Sequence, residues 1–405
     1  MRSLCTTAMA TLLGAGCASE TADLVVGDVE YTSSAGSAEP NLHVTSDGRG
    51  ILTWLEPVSA GRHALRLAVR EAGAWSAPRT VLESERFFVN WADFPSLVEM
   101  GDGSWLVHWL EKAAENSYAY HVRLAVSKDD GFVWSTSFKP HRDDSPTEHG
   151  FVSMVPWDAG AALIWLDGRE MTTEVSGGEH EGLNLGEMSL RATTVDSDGV
   201  MGPDVLLDSR TCECCQTSMA RTSRGLVAAY RDRSESEIRN VSIVRFLDGS
   251  WSKPSHVADD NWYYPGCPVN GPQLSARGDT VVVAWFTAPE SRPAVYAAFS
   301  YDGGASFRPP IRIDDGDPLG RVDVEILDDG RAAVIWVERS ADAAEIRVRL
   351  VEPNSTGPAL RVARTAEARG SGFPRIALAG RELLVAWTSL AEEGGVKVTA
   401  LRAPK

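Results

Sequence analysis

One motif recurs seven times along the 405 residues, and it sets what the chain can fold into. An apolar strand ending in an aromatic appears as ILTWLEP (Trp54), LVHWLEK (Trp109), ALIWLDGR (Trp165), LVAAYRDR (Tyr230), VVAWFTA (Trp285), AVIWVER (Trp336) and LVAWTSL (Trp387). Successive aromatics stand 55, 56, 65, 55, 51 and 51 residues apart, the repeat length of a four-stranded propeller blade with generous loops. Before each comes a short strand such as PNLHVTS or FPSLVEM and a turn rich in Asp and Gly. After each comes an alternating strand such as HALRLAVRE, and often a short fourth one such as WSAPRTVL. A meander of this kind has two apolar faces, so it is stable only when neighbouring copies cover both. The sequence therefore predicts an all-β protein, a β-propeller of seven four-stranded blades, with the seven aromatics as core. The last unit stops after three strands near Ala403, and residues 22–32 supply the missing fourth, closing the ring without a free edge.

The chain opens with a short leader. Arg2 gives a basic start, residues 4–13 are mostly apolar, and LLGAGC brings small residues up to Cys17. The stretch is too short to span a bilayer and reads as an export signal. Its end resembles a bacterial lipoprotein signal, which implies lipidation of Cys17, and Ala18 behind it implies sorting to the outer membrane, facing the periplasm or the cell surface. Residues 1–17 are thus expected to be removed up to the anchor, and residues 18–405 to form one propeller domain. Membrane contact is expected only through the lipid. Fifty-six acidic against thirty-nine basic residues give a net charge of −17, which repels phosphate backbones, so no nucleic-acid partner is expected. The domain reads as a monomer.

Two turns carry a sharper signature. SKDDGFVW (Ser127 to Trp134) and SYDGGASF (Ser300 to Phe307) both read Ser-x-Asp-x-Gly-x-x-aromatic between third and fourth strands. They resemble the Asp-box of the sialidase-like superfamily, and with CECCQT, RDRSESEIR and GCPVNGP the chain resembles bacterial exported proteins labelled sialidase-like or BNR-repeat. The resemblance implies a propeller, for which the six-bladed sialidase ring is the alternative to seven. It does not decide chemistry, because function lives in sites placed on folds.

Chemistry is expected at one end of the channel, where first strands begin and the loops between second and third strands emerge. That end gathers Asp93, His149, Cys214, Cys215, Asn270, Arg321 and Arg375 with Asp167, Arg169, Arg231, Asp232 and Arg233. The long loop of the third unit, carrying Glu179, His180 and Glu181, rises over the same face. In TCECCQTS three of the six cysteines, Cys212, Cys214 and Cys215, fall within four positions. Along an extended strand Cys212 and Cys214 share a face and span roughly 6.6 Å, at the upper limit for a disulfide. Cys267 lies at the start of the next unit, so one disulfide is expected to join blades four and five. The other two thiols pair if the backbone bends. The alternative is a soft metal ion, Cu or Zn, on Cys212, Cys214, Cys215 and Cys267, completed by His149 or His180.

Three functional readings follow. The first is an envelope propeller binding a small molecule or glycan at a cysteine-lined mouth, with or without a metal. The second is a glycoside hydrolase of sialidase type, with Asp167 or Asp232 as acid and base and Arg169, Arg231 and Arg321 clamping a carboxylate. The family's Arg-Ile-Pro motif is missing, and RDRSESEIR reads equally as a salt-bridge ladder. The third is a scaffold for protein partners.

Overall fold

The computed structural model describes residues 24–114, 118–173, 184–341 and 343–402. The leader with Cys17, and Glu179, His180 and Glu181 of the long loop, lie outside the described residues. Seven antiparallel meanders follow one another as the repeat predicts. Blade 1 comprises Ala38–Val44, Gly50–Ser59, Arg62–Glu71 and Arg79–Ser84, and blade 2 comprises Ser96–Glu99, Trp105–Lys112 and Tyr120–Ser127. Blade 3 comprises His149–Trp157, Gly160–Asp167, Ser189–Val195 and Val205–Asp208. Blade 4 comprises Ser218–Thr222, Gly225–Arg231, Val241–Leu247 and Ser255–Ala258, and blade 5 comprises Gln273–Arg277, Thr280–Thr287, Ala294–Ser300 and Ile311–Arg312. Blade 6 comprises Pro318–Ile326, Ala332–Arg339, Ala344–Glu352 and Leu360–Thr365. Blade 7 holds Arg375–Ala379, Glu382–Thr388 and Val396–Arg402, and its outer strand is Val25–Thr32, antiparallel to Val396–Arg402. The closing strand is therefore the one expected from the sequence. Blade 2 departs from the pattern: in place of a fourth strand, its outer position is held by the Leu124 to Phe138 bridge and by Ser135, whose N–H donates to the Val126 carbonyl at 2.8 Å.

All seven repeat aromatics are buried, Trp54, Trp165, Tyr230, Trp285 and Trp336 completely. A buried indole removes roughly 200 Å² from water, so each contributes about 5 kcal/mol of apolar burial. Three of them also find a carboxylate: the indole N–H of Trp165 donates to Asp167 at 2.8 Å, that of Trp285 to Asp260 at 2.6 Å and that of Trp336 to Glu338 at 2.5 Å. The two Asp-box turns form as their sequence implies. Asp129 accepts from the Val133 N–H at 2.8 Å and Asp302 from the Ser306 N–H at 2.9 Å, while Trp134 and Phe307 pack on the core beneath.

The inner strands are joined blade to blade by side chains that accept backbone N–H groups of the next blade. His43 Nε2 accepts from Glu99 (3.0 Å), Asp93 from Phe151 (2.7 Å), Ser153 from Met219 (2.9 Å), Ser218 from Leu274 (3.0 Å), Ser275 from Ile326 (3.2 Å) and Asp323 from Ile376 (2.9 Å). Close approach makes this possible at Gly150, where a Cβ would sit 2.1 Å from Asp93 Oδ2. His43, Asp93, Ser153, Ser218 and Asp323 line a central cavity of about 420 Å³ that also receives Gln216, Glu325 and Arg375.

Burial sets a pH dependence. It pushes the carboxyls of Glu39, Asp93 and Glu325 up to about 8, and the imidazoles of His43 and His108 down to about 4 and about 3. The raised carboxyls stabilise the fold below their unfolded values near 4, and that contribution is lost as pH rises through 8. The depressed imidazoles stabilise it above 6.5, and their contribution is lost as pH falls through 4. The two oppose each other between about pH 4 and 6.5, and only the carboxyls act above. The melting temperature is therefore expected to fall between pH 6.5 and 8.5, less so in Glu325→Gln. A flat thermal-denaturation profile across that range would contradict it.

Candidate functional site

The cysteine run does not lie along a strand. The first strand of blade 4 begins only at Ser218, and Thr211 to Cys215 turn on the way to it. The bend lets Cys212 pair with Cys215 (Cα separation 5.8 Å), while Cys214 reaches Cys267 on the approach to blade 5 (6.0 Å). The stitch between blades 4 and 5 is the expected one, and the other two thiols close a small loop. With all four sulfurs in disulfides, a metal on them would require both bridges to be reduced.

Cys214 and Cys267 line one side of a hollow of about 620 Å³ that faces the end where first strands begin. The same hollow is lined by aromatics that sequence reading had not singled out. Phe88 stacks on Tyr120 at 4.0 Å and meets the largely exposed Tyr118 edge-on at 5.9 Å. Trp91 stacks on Phe373 at 5.7 Å with the Arg321 guanidinium 5.2 Å from its ring. Lys112, Glu148, Glu213 and Arg369 complete a polar rim.

The arginines expected at this end sit on different blades and are already engaged. Arg231 is 1% exposed, and it donates to the carbonyls of Asn270 (2.8 Å), Arg239 (2.7 Å) and Phe286 (2.5 Å). Burial pushes its guanidinium down to about 10, still charged at neutral pH. Arg321 donates to Ser371 Oγ (2.6 Å) and the Glu367 carbonyl (3.0 Å), and burial pushes it too down to about 10. Arg169 makes a fork on Asp167, at 2.7 Å to each oxygen, and reaches Asp204 at 3.0 Å. Arg375 instead lines the central cavity, 3.2 Å from Asp323.

The acids and amides are similarly placed. Asp167 is fully buried; although burial favours its neutral form, Arg169, His149 and the Trp165 N–H hold it down to about 2. Asp232 accepts the Arg233 N–H at 2.7 Å, and burial raises its pKa. The RDRSESEIR ladder forms in altered order: Glu237 and Glu213 bridge Arg233 and Arg239, whereas Arg231 stays outside it. Asp93 and Asn270, expected in the pocket, act between blades, Asn270 Oδ1 accepting the Arg321 N–H at 2.8 Å. His149, expected beside the cysteines, packs instead with His121 and His141, ring centroids 5.3 and 4.1 Å away.

No protein-family model matches the chain, and no curated relative does. Solved structures do. An ulvan lyase of polysaccharide lyase family PL25 superposes with a TM-score of 0.55 at 12% identity, over 93% of this chain and 94% of the other. A protein of unknown function from Dyadobacter fermentans gives 0.52 at 14%, over 93% and 97%. The chain is a seven-bladed propeller. The NanB sialidase of Streptococcus pneumoniae gives 0.44 at 12%, over 93% of this chain and 70% of that one. At these identities the likeness concerns fold alone.

Proposed function

We propose that the chain is an exported, lipid-anchored propeller that binds a saccharide in the hollow beside the Cys214–Cys267 bridge. The observation that carries this reading is the hollow itself, lined by the aromatic residues Phe88, Trp91 and Tyr118 together with the charged groups Lys112, Glu148 and Glu213. Flat apolar faces suit the C–H surface of a sugar ring, and a charged rim suits its hydroxyls. Two disulfides accord with an oxidising compartment, where the LLGAGC leader would send the chain. Binding is favoured over glycoside hydrolysis because Arg169, Arg231 and Arg321 direct their donors to partners within the chain, which leaves no shared carboxylate clamp among the described residues.

Tryptophan fluorescence titration tests the reading with a panel of neutral and acidic saccharides, ulvan and a sialyl oligosaccharide among them. One class is expected to give saturable binding, weakened about tenfold in Tyr118→Ala with the melting temperature unchanged. Saturation by no saccharide, or equal affinity in Tyr118→Ala, would overturn it.

A further inference from the structure

His121 lies in the third strand of blade 2, His141 on the connection from blade 2 to blade 3, and His149 at the start of blade 3. No short metal-ligand spacing relates them in sequence, yet one ring nitrogen from each lies within 4.8 Å of the other two. His149 is fully buried and His141 is 2% exposed.

The hydrogen bonds determine which nitrogens are free to bind. Nδ1 of His149 faces two carbonyls, those of Thr147 (3.2 Å) and Tyr120 (3.3 Å), so it carries the proton and donates. Its Nε2 then presents a lone pair, but that atom sits 2.9 Å from Asp143 Oδ2 and 3.7 Å from Asp167 Oδ1. A lone pair facing carboxylate oxygens is repulsive unless a cation or a proton lies between them. Nδ1 of His141 likewise meets the Asp143 carbonyl at 2.9 Å, which leaves its Nε2 as the lone-pair atom, and that nitrogen is buried without a hydrogen-bond partner. Nδ1 of His121 is likewise buried without a hydrogen-bond partner. Ring N–H groups anchored on carbonyls, as in His149 and His141, free the opposite nitrogens to bind a metal.

We propose that His121, His141 and His149, with the Asp143 carboxylate, form a binding site for a divalent cation of borderline softness, Zn²⁺. Three imidazoles and one carboxylate match its tetrahedral preference, at Zn–N distances of about 2.0–2.1 Å. His141 and His149 stack at 4.1 Å with their rings 12° apart, so turning one of these rings together with that of the half-buried His121 closes the set. Asp167 remains with Arg169 and faces the site as a charge behind His149. The site is separate from the cysteines and does not depend on the saccharide reading.

The full chain, purified without chelators and dialysed against ZnCl₂, tests this by elemental analysis. One zinc per chain is expected, retained when Cys212 and Cys215 are both replaced by serine. Affinity should fall on the order of 100-fold or more in His141→Ala and in His121→Gln. Co²⁺ in place of zinc should show tetrahedral d–d bands without thiolate charge transfer. Should His141→Ala fail to fold, His121→Gln at a less buried position and the Co²⁺ spectrum of the unaltered chain carry the decision. Absence of stoichiometric metal would overturn the proposal, as would undiminished binding in the His121→Gln, His141→Ala double variant or a thiolate band.

Discussion

Replacing Arg231 by alanine is expected to lower the free energy of unfolding by roughly 4 kcal/mol, because three carbonyls lose their donor in a site that water does not reach. Those carbonyls belong to Asn270, Arg239 and Phe286, so one side chain ties blade 4 to the approach and second strand of blade 5. The guanidinium also covers the Trp262 ring at 5.1 Å, and its removal leaves a void there. For a domain of this size the loss corresponds to about 5 °C in melting temperature. Arg231→Lys should recover only part, since an ammonium cannot reproduce the planar fork. Urea denaturation of the three proteins checks the ranking. Alanine as stable as arginine would mean the guanidinium is available to a ligand, as the hydrolase reading requires.

The second large effect concerns the two disulfides. Cys214 and Cys267 are 53 residues apart, Cys212 and Cys215 only 3. If cross-links act mainly by restricting the unfolded chain, the long bridge is worth about 4 kcal/mol and the short one about 2. Serine pairs at each bridge, compared by urea denaturation, should therefore differ by a clear margin. The long-bridge variant should also weaken saccharide binding, since the bridge borders the hollow. Equal losses from the two pairs would contradict the assignment.

The ring was legible because its signal is redundant: seven aromatic strands at nearly constant spacing, and a leftover strand at one end matching a gap at the other. The inner stitching was not. Asp93 and Asn270 read as mouth residues because a polar side chain at the start of a strand looks the same whether it meets a ligand or a backbone N–H. Their partners, Phe151 and Arg321, lie 58 and 51 residues on, one repeat away, and a backbone donor leaves no mark in sequence. The cysteines were assigned to extended chain, whereas the turn before Ser218 permits the Cys212–Cys215 pairing. His121 and His141 escaped notice for a further reason. They stand 20 residues apart on an apolar strand and a loop, and only the packing of blade 2 against blade 3 brings them to His149.

The strand that seals blade 7 also bears on how the protein comes into being. Val25–Thr32 is made early and Val396–Arg402 late, yet each is the other's edge partner. A chain emerging in order can assemble blades 1 to 6 one upon another, but the circle stays open until the final sheet is synthesised. During that interval both lips of the gap are exposed, and trimming either extremity would injure the same sheet.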